Sequence, residues 1–232
     1  GSKVTLLQRS EGILRDFPQP ASDCIRNKFT EEGMIVKTGV SIEGMEEAHD
    51  QTIRVVYRHK GVKESIDTKF LFHALGRKPA TDRLNLKEIG VELQESGHVQ
   101  TNSFQQTSIS HIYAAGDCAG PHEIVHVAIR QGETAAFHAL GKSVEAVTYD
   151  HLLGVVFTDP QVATVGLLPA ELRKRGIEFL SADYPFDDHG KSILMEAKHG
   201  YVAVHAEKST GVVLGAECVG KDAGELIQTL SI

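Results

Sequence analysis

The sequence has few cysteines and no closely spaced pair of them. Its three cysteines, Cys24, Cys118 and Cys218, are far apart, and neither CxxC nor CxxxxC occurs. An odd number of dispersed cysteines suits a reducing compartment better than a disulfide framework. We therefore expect a cytoplasmic protein with no catalytic residue of its own among these thiols.

Long apolar runs are also missing. Charged residues interrupt every run well before the roughly 20 residues that a membrane span requires, and the first residues show no secretory signal pattern. Lys and Arg number 24 against 31 Asp and Glu, a formal net charge of −7. Such an acidic balance argues against nucleic acid or an anionic membrane as the main partner.

Metal-binding patterns are incomplete. His122 and His126 lie four residues apart, but no third ligand accompanies them, so no metal site is expected. Cys118 lacks a partner thiol and is expected to be a small buried residue. The composition, 41% hydrophobic and 24% charged, is that of an ordinary soluble globular chain, and 232 residues allow one large domain or two small ones.

The first part of the chain predicts a strand, a helix and a second strand. Residues 4–7 form a β-type run, Ser22 or Asp23 is predicted to cap a helix, and Gly33 is predicted to end it. Residues 34–36 follow as a short strand. This order is typical of half of a parallel α/β unit.

Two further strand patterns follow. Residues 52–58 alternate in polarity, turn at 59–61 and continue to Ile66, which predicts a β-hairpin. The continuous apolar run Phe70–Leu75 predicts a strand covered on both faces. The segment 76–79 after it is either a crossing that faces a ligand or a sharp exit from the strand.

The most informative stretch is a predicted strand, 112–115, that leads into Gly116 and Asp117. Open α/β sheets bind ligands at this end of their strands, where a carboxylate can accept from a sugar or ribityl hydroxyl. A helix predicted from Val125 to Leu140 directs its N-terminus, near His126, toward the same place, and suits an electron-rich ligand atom. The alternative is a glycine turn in which the aspartate only caps the chain.

A second candidate site follows the first strand. Arg9 and Arg15, six residues apart, could grip a phosphate together. The alternative is that both are solvated surface residues.

From Thr148 onward the pattern is α+β with a largely antiparallel sheet. A helix is predicted over 169–175 with Pro169 at its first position, and a last helix near Asp222. Short strands are predicted at 155–157, 161–165, 179–184, 193–197, 201–205 and 212–218.

Four motifs in this order resemble the C-terminal portion of the class I pyridine nucleotide–disulfide oxidoreductases, which include dihydrolipoamide dehydrogenase, glutathione reductase and mercuric reductase. They are ALGRKP at 74–79, TSISHIYAAGD at 107–117, VFTDPQVATVG at 156–166 and AGELIQ at 223–228. The resemblance implies the end of a Rossmann-like nicotinamide-binding domain over 1–73, a returning segment of the FAD domain over 74–147, and a truncated α+β dimerisation domain over 148–232.

The resemblance also implies flavin ligands. Asp117, beside Gly116, would bind the ribityl chain of FAD, and Val125 and His126 would lie next to the flavin ring with backbone N–H groups toward its O2 side. Gly76 would lie on the route of the nicotinamide.

For the nicotinamide nucleotide, the resemblance implies NADPH rather than NADH. Gln8 stands where NAD-preferring relatives tend to carry an acidic ribose ligand. Arg9 and Arg15 match in spacing the arginines that hold the extra phosphate of NADP in glutathione reductase. Val40, at the exit of the second strand, is expected to belong to the same nucleotide site.

The chain departs from the family pattern in lacking the glycine-rich FAD motif, the GxGxxG before the first strand and the CxxxxC disulfide. We therefore expect a fragment, inactive alone, of a homodimeric enzyme of redox homeostasis. It would pass electrons from NAD(P)H through flavin to a cysteine pair, and then to a small disulfide or a metal ion. The alternatives are an NAD-linked dihydrolipoamide dehydrogenase and a non-catalytic dimerisation module.

Overall fold

The computed structural model describes residues 1–231, apart from the side chain of Asp50, and divides the chain into two compact units. Unit 1 combines residues 1–72 with the described residues from Asp150 onward, and unit 2 is His73–Tyr149. The predicted three-domain boundaries stay a prediction. Within the described residues, none of the helices combines the length and the apolar character needed to span a bilayer.

Unit 1 begins with the predicted strand–helix–strand order. Strand β1 (Thr5–Leu7) is followed by helix α1 (Gln19–Glu31) and strand β2 (Ile35–Lys37). The two strands are parallel, as predicted for half of an α/β unit. Gly33 ends the helix with φ +86°, a conformation in which its missing side chain is an advantage.

The predicted helix cap is wrong by several residues. The helix has Pro18 at its N-cap and another proline within its first positions, where the missing N–H costs nothing. Ser22 is buried inside the helix instead, and its hydroxyl accepts a hydrogen bond from the Ile13 N–H at 3.1 Å. Asp23 pairs with Arg26 on the exposed face, so proline rather than serine or aspartate sets the start.

A three-stranded antiparallel sheet follows, in the order β3 (Val40–Glu47), β4 (Ile53–His59) and β5 (Val62–Thr68). The β4–β5 hairpin confirms the alternation seen in the sequence. Strand β3 was not predicted, because its charged residues give it no clear apolar face. Val40 is its buried first residue, and a 3₁₀ turn, His49–Gln51, separates it from β4.

The strand predicted over Phe70–Leu75 is wrong. The segment has no regular secondary structure, and the side chains of Phe70 and Phe72 are each 90% exposed. An apolar run becomes a strand only where a neighbouring strand supplies hydrogen bonds. Among the described residues, none pairs with this segment.

Unit 2 contains the long helix α2 (Val125–Ala139), which confirms the helix predicted there. The strand predicted over 112–115 is wrong: only Tyr113 forms a bridge, with Gln106, and the four residues are half-buried. The Tyr113 hydroxyl lies 2.8 Å from the imidazole of His138. The apolar run therefore packs as an irregular segment, because a single bridge does not extend into a ladder.

The second part of unit 1 is a five-stranded antiparallel sheet with strand order β6-β7-β10-β9-β8. Its strands are β6 (Leu153–Val156), β7 (Gln161–Gly166), β8 (Phe179–Pro185), β9 (Tyr201–Glu207) and β10 (Val213–Gly220). Helix α3 (Pro169–Lys174) begins at the predicted proline. The largely antiparallel α+β arrangement is thus confirmed.

The strand predicted over 193–197 is wrong. Residues Gly190–Leu194 form a short helix, α4, in which the N–H of Ile193 donates to the carbonyl of His189 at 3.0 Å. Ile193 and Leu194 are both exposed. A short apolar run does not distinguish a strand from a helix by its period, and the prediction failed on that ambiguity.

Both faces of the five-stranded sheet are covered at its central strands β7 and β10, whereas the edge strand β8 is largely exposed. On one face, Ala163 and Cys218 pack against α5 (Ala223–Leu226) and the 3₁₀ helix Ile227–Leu230 that continues it. On the other face, Val162 and Val219 pack against Ala21 and Ile25 of α1. Neighbouring residues on a strand point to opposite faces, so consecutive apolar residues of β7 and β10 enter two different apolar cores.

Candidate functional site

The candidate site in unit 2 is built on the loop Gly116–Gly120. Gly116 has φ +79°, and a Cβ at this position would lie 3.3 Å from the Cβ of Ala128 on α2. Glycine is favoured here by its backbone angle, and the close approach to the helix leaves little room for a side chain. The loop is pressed against the beginning of α2, as the sequence pattern predicted.

A buried glutamine fastens this loop. Gln131 on α2 is 0% exposed. Its Oε1 accepts from the N–H of Gly116 at 2.6 Å, and its Nε2 donates to the carbonyl of Gly120 and to the hydroxyl of Tyr149, each at 2.8 Å. Sequence reasoning missed Gln131. The available signal was a polar residue on the buried stripe of the helix, four residues after Val127.

Asp117, between these anchored glycines, is half exposed, with 54% of its side chain accessible. Its Oδ2 lies 3.2 Å from Nη2 of Arg77, which also lies 2.6 Å from Glu123. The carboxylates of Glu123 and then Asp117 raise the pKa of the Arg77 guanidinium. The structure thus brings together the segments 76–79 and 116–117. Gly76 precedes the arginine with φ +95°.

The start of α2 is exposed and uncapped. Val125 and His126 are both exposed, no side chain caps the helix, and its first turn contains no acidic residue. The first N–H groups of a helix have no partner within it, and the dipole makes this end positive. Within the described residues, this end of α2 is therefore open to a polar or anionic ligand group.

The spacing from His122 to His126, with Glu123 between them, is that of the HExxH zinc motif. That motif requires both histidines on one helical face, but α2 begins only at Val125. His122 instead lies edge-on to Tyr149, with ring centroids 5.0 Å apart, and burial lowers the pKa of its imidazole. The described residues contain no cluster of three or more potential metal ligands.

The predicted nucleotide residues of unit 1 lie at the carboxyl end of the parallel strand pair. The N–H of Gln8 donates to the carbonyl of Lys37, and the N–H of Val40 donates to the carbonyl of Gln8 at 3.0 Å. The side-chain amide of Gln8 donates to Ser10 at 2.6 Å. Gln8 and Val40 are therefore neighbours, at the end of a parallel pair where nucleotides are usually bound.

Arg9 and Arg15 are both exposed on the loop that follows β1. The guanidinium of Arg15 lies 3.2 Å from the carboxylate of its neighbour Asp16, and both side chains are largely accessible. The carboxylate of Glu11 lies against Gly39 in the same region. The loop thus offers cations to solvent, but an acidic side chain already neutralises one of them.

The three cysteines are free thiols in the described part of the chain. Burial raises the pKa of the Cys218 thiol to about 11 and, with the nearby carboxylate of Glu31, raises that of Cys24. Thiols held protonated by burial are poor nucleophiles. Cys218 is a small residue of an apolar core, whereas Cys118, which the sequence predicted to be buried, is only half-buried.

These elements are those of a mixed α/β protein in which one unit joins a parallel strand pair to an antiparallel sheet. The chain belongs to the pyridine nucleotide-disulphide oxidoreductase family: residues 1–132 match the family itself, and residues 152–232 match its dimerisation domain. The resemblance drawn from the sequence motifs is therefore confirmed.

The chain is similar to dihydrolipoyl dehydrogenase of Geobacillus stearothermophilus, at 30% identity over 232 residues, and to mercuric reductase of Bacillus cereus, at 34% over 233 residues. Each match covers 100% of this chain, but 49% of the first relative and 37% of the second. The chain thus spans half or less of the length of these curated relatives.

Solved structures show the same fold. LpdA of Mycobacterium tuberculosis superposes with a TM-score of 0.88 at 25% identity, over 100% of this chain and 50% of its own. RclA of Escherichia coli, an HOCl-induced flavoprotein disulfide reductase, superposes with a TM-score of 0.85 at 22% identity, over 100% of this chain and 52% of its own. The RclA match supports the fold alone.

Proposed function

We propose that this chain is part of an FAD-dependent oxidoreductase. It would pass electrons from NADPH through flavin to a cysteine pair, and then to a small disulfide or a metal ion. The observation that carries the proposal is the half-exposed carboxylate of Asp117, on a glycine loop pressed against the open N-terminus of α2. Membership of the family supports it.

The residues of unit 2 fit the flavin part of this proposal. Asp117 contacts Arg77 through Oδ2, and 54% of its side chain is accessible, so the carboxylate could accept from a ribityl hydroxyl. The N–H groups of Val125 and His126 would donate to an electron-rich edge of the flavin ring. FAD supplies the hydride acceptor that protein side chains lack. The role of this chain is to bind and orient it.

The residues of unit 1 fit the nucleotide part. Gln8 places an uncharged amide, not a carboxylate, at the end of β1, and exposed Arg9 and Arg15 lie on the loop that follows. A 2′-phosphate would compete with Asp16 for Arg15 and form a charge-assisted hydrogen bond with its guanidinium. Val40, adjoining Gln8, belongs to the same site in this proposal, and Gly76 to the nicotinamide route.

An NADH-linked dihydrolipoyl dehydrogenase is the second candidate. The pairing of Arg15 with Asp16 favours it, because a neutralised arginine attracts a phosphate less. In either case the redox cysteine pair comes from outside these 232 residues, since their three thiols are dispersed. The 232 residues alone are then inactive.

The proposed partner is a second copy of the chain. The match of residues 152–232 to the family's dimerisation domain supports this. A two-fold contact would join the same patch on both copies. Sedimentation over a wide concentration range tests it: a dimer is expected, and a monomer at high concentration would contradict it. A cytoplasmic location stays a prediction.

The experiment that tests the function uses the full-length protein. A flavin absorbance spectrum is expected, bleached faster by NADPH than by NADH under anaerobic conditions. Replacing Arg9 and Arg15 together by alanine removes two charge-assisted contacts of about 1.5–3 kcal/mol each. NADPH use is expected to fall by at least tenfold, while NADH use is unchanged.

Arg83, an exposed arginine of unit 2, provides the matched control, and Arg83→Ala is expected to leave both nucleotides unaffected. Equal losses with NADPH and NADH in the double variant would refute the proposal that Arg9 and Arg15 bind the 2′-phosphate. They would favour the NADH-linked alternative. A colourless full-length protein would refute the flavin proposal. A non-catalytic dimerisation module would then be the remaining alternative.

A further inference from the structure

Gln131 uses both ends of its side-chain amide inside a buried region. Its oxygen accepts from the N–H of Gly116 and its nitrogen donates to the carbonyl of Gly120, at 2.6 and 2.8 Å. The second N–H of the amide reaches the hydroxyl of Tyr149 at 2.8 Å. An apolar side chain of the same length could form none of these bonds, so the contribution specific to glutamine here is hydrogen bonding and not volume.

The two backbone groups that Gln131 binds flank Asp117. The N–H of Gly116 precedes the aspartate and the carbonyl of Gly120 follows it, so the amide closes the loop without touching the carboxylate. Gln131 also lies on the helix whose N-terminus forms the other half of the proposed site. One side chain therefore fixes the carboxylate and the helix N-terminus relative to each other.

We infer that Gln131 is a positioning residue for the flavin site, and that it sets FAD affinity through the loop that carries Asp117. This inference rests on the proposed function. Another hydrogen bond also holds the loop: the N–H of Val99 donates to the carbonyl of Cys118 at 2.8 Å. Removing Gln131 should therefore loosen the loop without unfolding unit 2.

Two variants separate hydrogen bonding from packing. Gln131→Met keeps the length of the side chain and removes all three bonds. Gln131→Glu keeps an acceptor for the N–H of Gly116 and loses the amide donor. The control is Thr134→Val on the same helix: Thr134 is equally buried, and its hydroxyl has no hydrogen-bond partner among the described residues.

Two readouts are needed, one of them independent of flavin. The first is the order of the loop, measured on the 232-residue chain by amide hydrogen exchange at Gly116 and by the alkylation rate of Cys118. The second is the dissociation constant of FAD in the full-length protein. In Gln131→Met, we expect exchange and alkylation at least tenfold faster and FAD at least tenfold weaker. Exchange in strands β9 and β10 should not change.

Gln131→Glu should restore exchange at Gly116 and recover part of the FAD affinity, while alkylation of Cys118 stays faster than in the wild type. Thr134→Val should match the wild type in both readouts. If the methionine variant does not fold, Gln131→Glu decides the matter alone, and alkylation at the wild-type rate would overturn the inference.

Unchanged loop exchange in Gln131→Met would overturn the inference whether or not the protein binds FAD. A looser loop with unchanged FAD affinity would overturn it as well, because Gln131 would then order the loop without serving the site. A wild-type protein that binds no FAD would refute the proposed function and the flavin role of Gln131 together. Faster exchange in the methionine variant would then show an ordering role only.

Discussion

The five-stranded sheet of unit 1 and the segment His73–Tyr149 of unit 2 are ordered by different means. The sheet is held by antiparallel ladders and by apolar side chains on both faces, among them Ile227 and Val162 at 0% exposure. Unit 2 has one long helix, two isolated bridges and buried polar side chains, among them Gln131 and Thr134. The region matched to the dimerisation domain is thus the regular one, and the candidate ligand site is irregular.

The difference follows from what each region has to present. A sheet whose centre is covered on both faces needs consecutive apolar residues along its central strands, and hydrophobic burial then provides its stability. A ligand site needs carboxylates and N–H groups left accessible, so its backbone stays in loops that side-chain hydrogen bonds must fasten. We expect apolar truncation to damage the sheet most, and polar substitution to act mainly on the site.

The largest expected effect is in the sheet. Ile227→Ala removes a fully buried side chain that packs against Ala163 and Cys218, and should lower the free energy of unfolding by about 2–5 kcal/mol. Urea denaturation followed by circular dichroism measures it. The control Ile193→Ala, at a residue 53% exposed, should cost less than about 0.5 kcal/mol. Equal effects of the two variants would contradict an apolar core at this face.

A smaller effect depends on pH. The folded pKa of Cys218, about 11, lies above its ordinary value of 9.0, so between these values the unfolded chain has lost a proton that the folded chain keeps. Stability should therefore fall as pH rises above 9, by up to about 1.4 kcal/mol per unit, and be unaffected by this thiol below that.

Cys218→Ala should make this alkaline slope shallower between pH 9 and 10 in reducing buffer, and Cys24, whose thiol pKa is also raised by burial, contributes the remainder. The measurement stops at pH 10 because the unfolded chain would begin to ionise Tyr201 there. Burial also raises the pKa of this tyrosine in the folded protein. Cys118→Ala, in unit 2, is the control and should keep the wild-type slope. An alkaline slope that is as steep in Cys218→Ala as in the wild type would show that Cys218 does not contribute to it.

The smallest effect is expected in unit 2. The hydroxyl of Thr134 is buried without a partner among the described residues, so Thr134→Val should leave the free energy of unfolding unchanged or raise it by up to about 1 kcal/mol. Thermal denaturation measures the change. A loss of more than about 1 kcal/mol would mean that the hydroxyl does contribute to this polar interior.

The sequence predicted the elements that local patterns determine. Helix α2, the β4–β5 hairpin and the proline-initiated helix α3 each carry their own period or their own terminating residue. The strands predicted over 70–75 and 112–115 failed because an apolar run becomes a strand only beside a partner. The partner is decided by chain elements far away in sequence.

The candidate site, too, could be predicted from the sequence only where local patterns determine it. The pairing of Gly116 and Asp117 with the start of α2 was predictable, because a motif and a helix end can be read locally. The contact of Arg77 with Asp117 joins residues 40 positions apart, and the bonds of Gln131 reach 15 and 18 residues along the chain. No local pattern signals such contacts, apart from a glutamine on a buried helical stripe.

The most direct test of the account is whether Asp117 holds FAD. In the full-length protein, Asp117→Ala and the control Asp82→Ala, which alters an exposed carboxylate of the same unit, are purified in parallel. Flavin content per chain and the FAD dissociation constant are then measured. We predict at least tenfold weaker FAD binding for Asp117→Ala and wild-type binding for Asp82→Ala. Wild-type flavin content and affinity in Asp117→Ala would show that this carboxylate does not bind FAD.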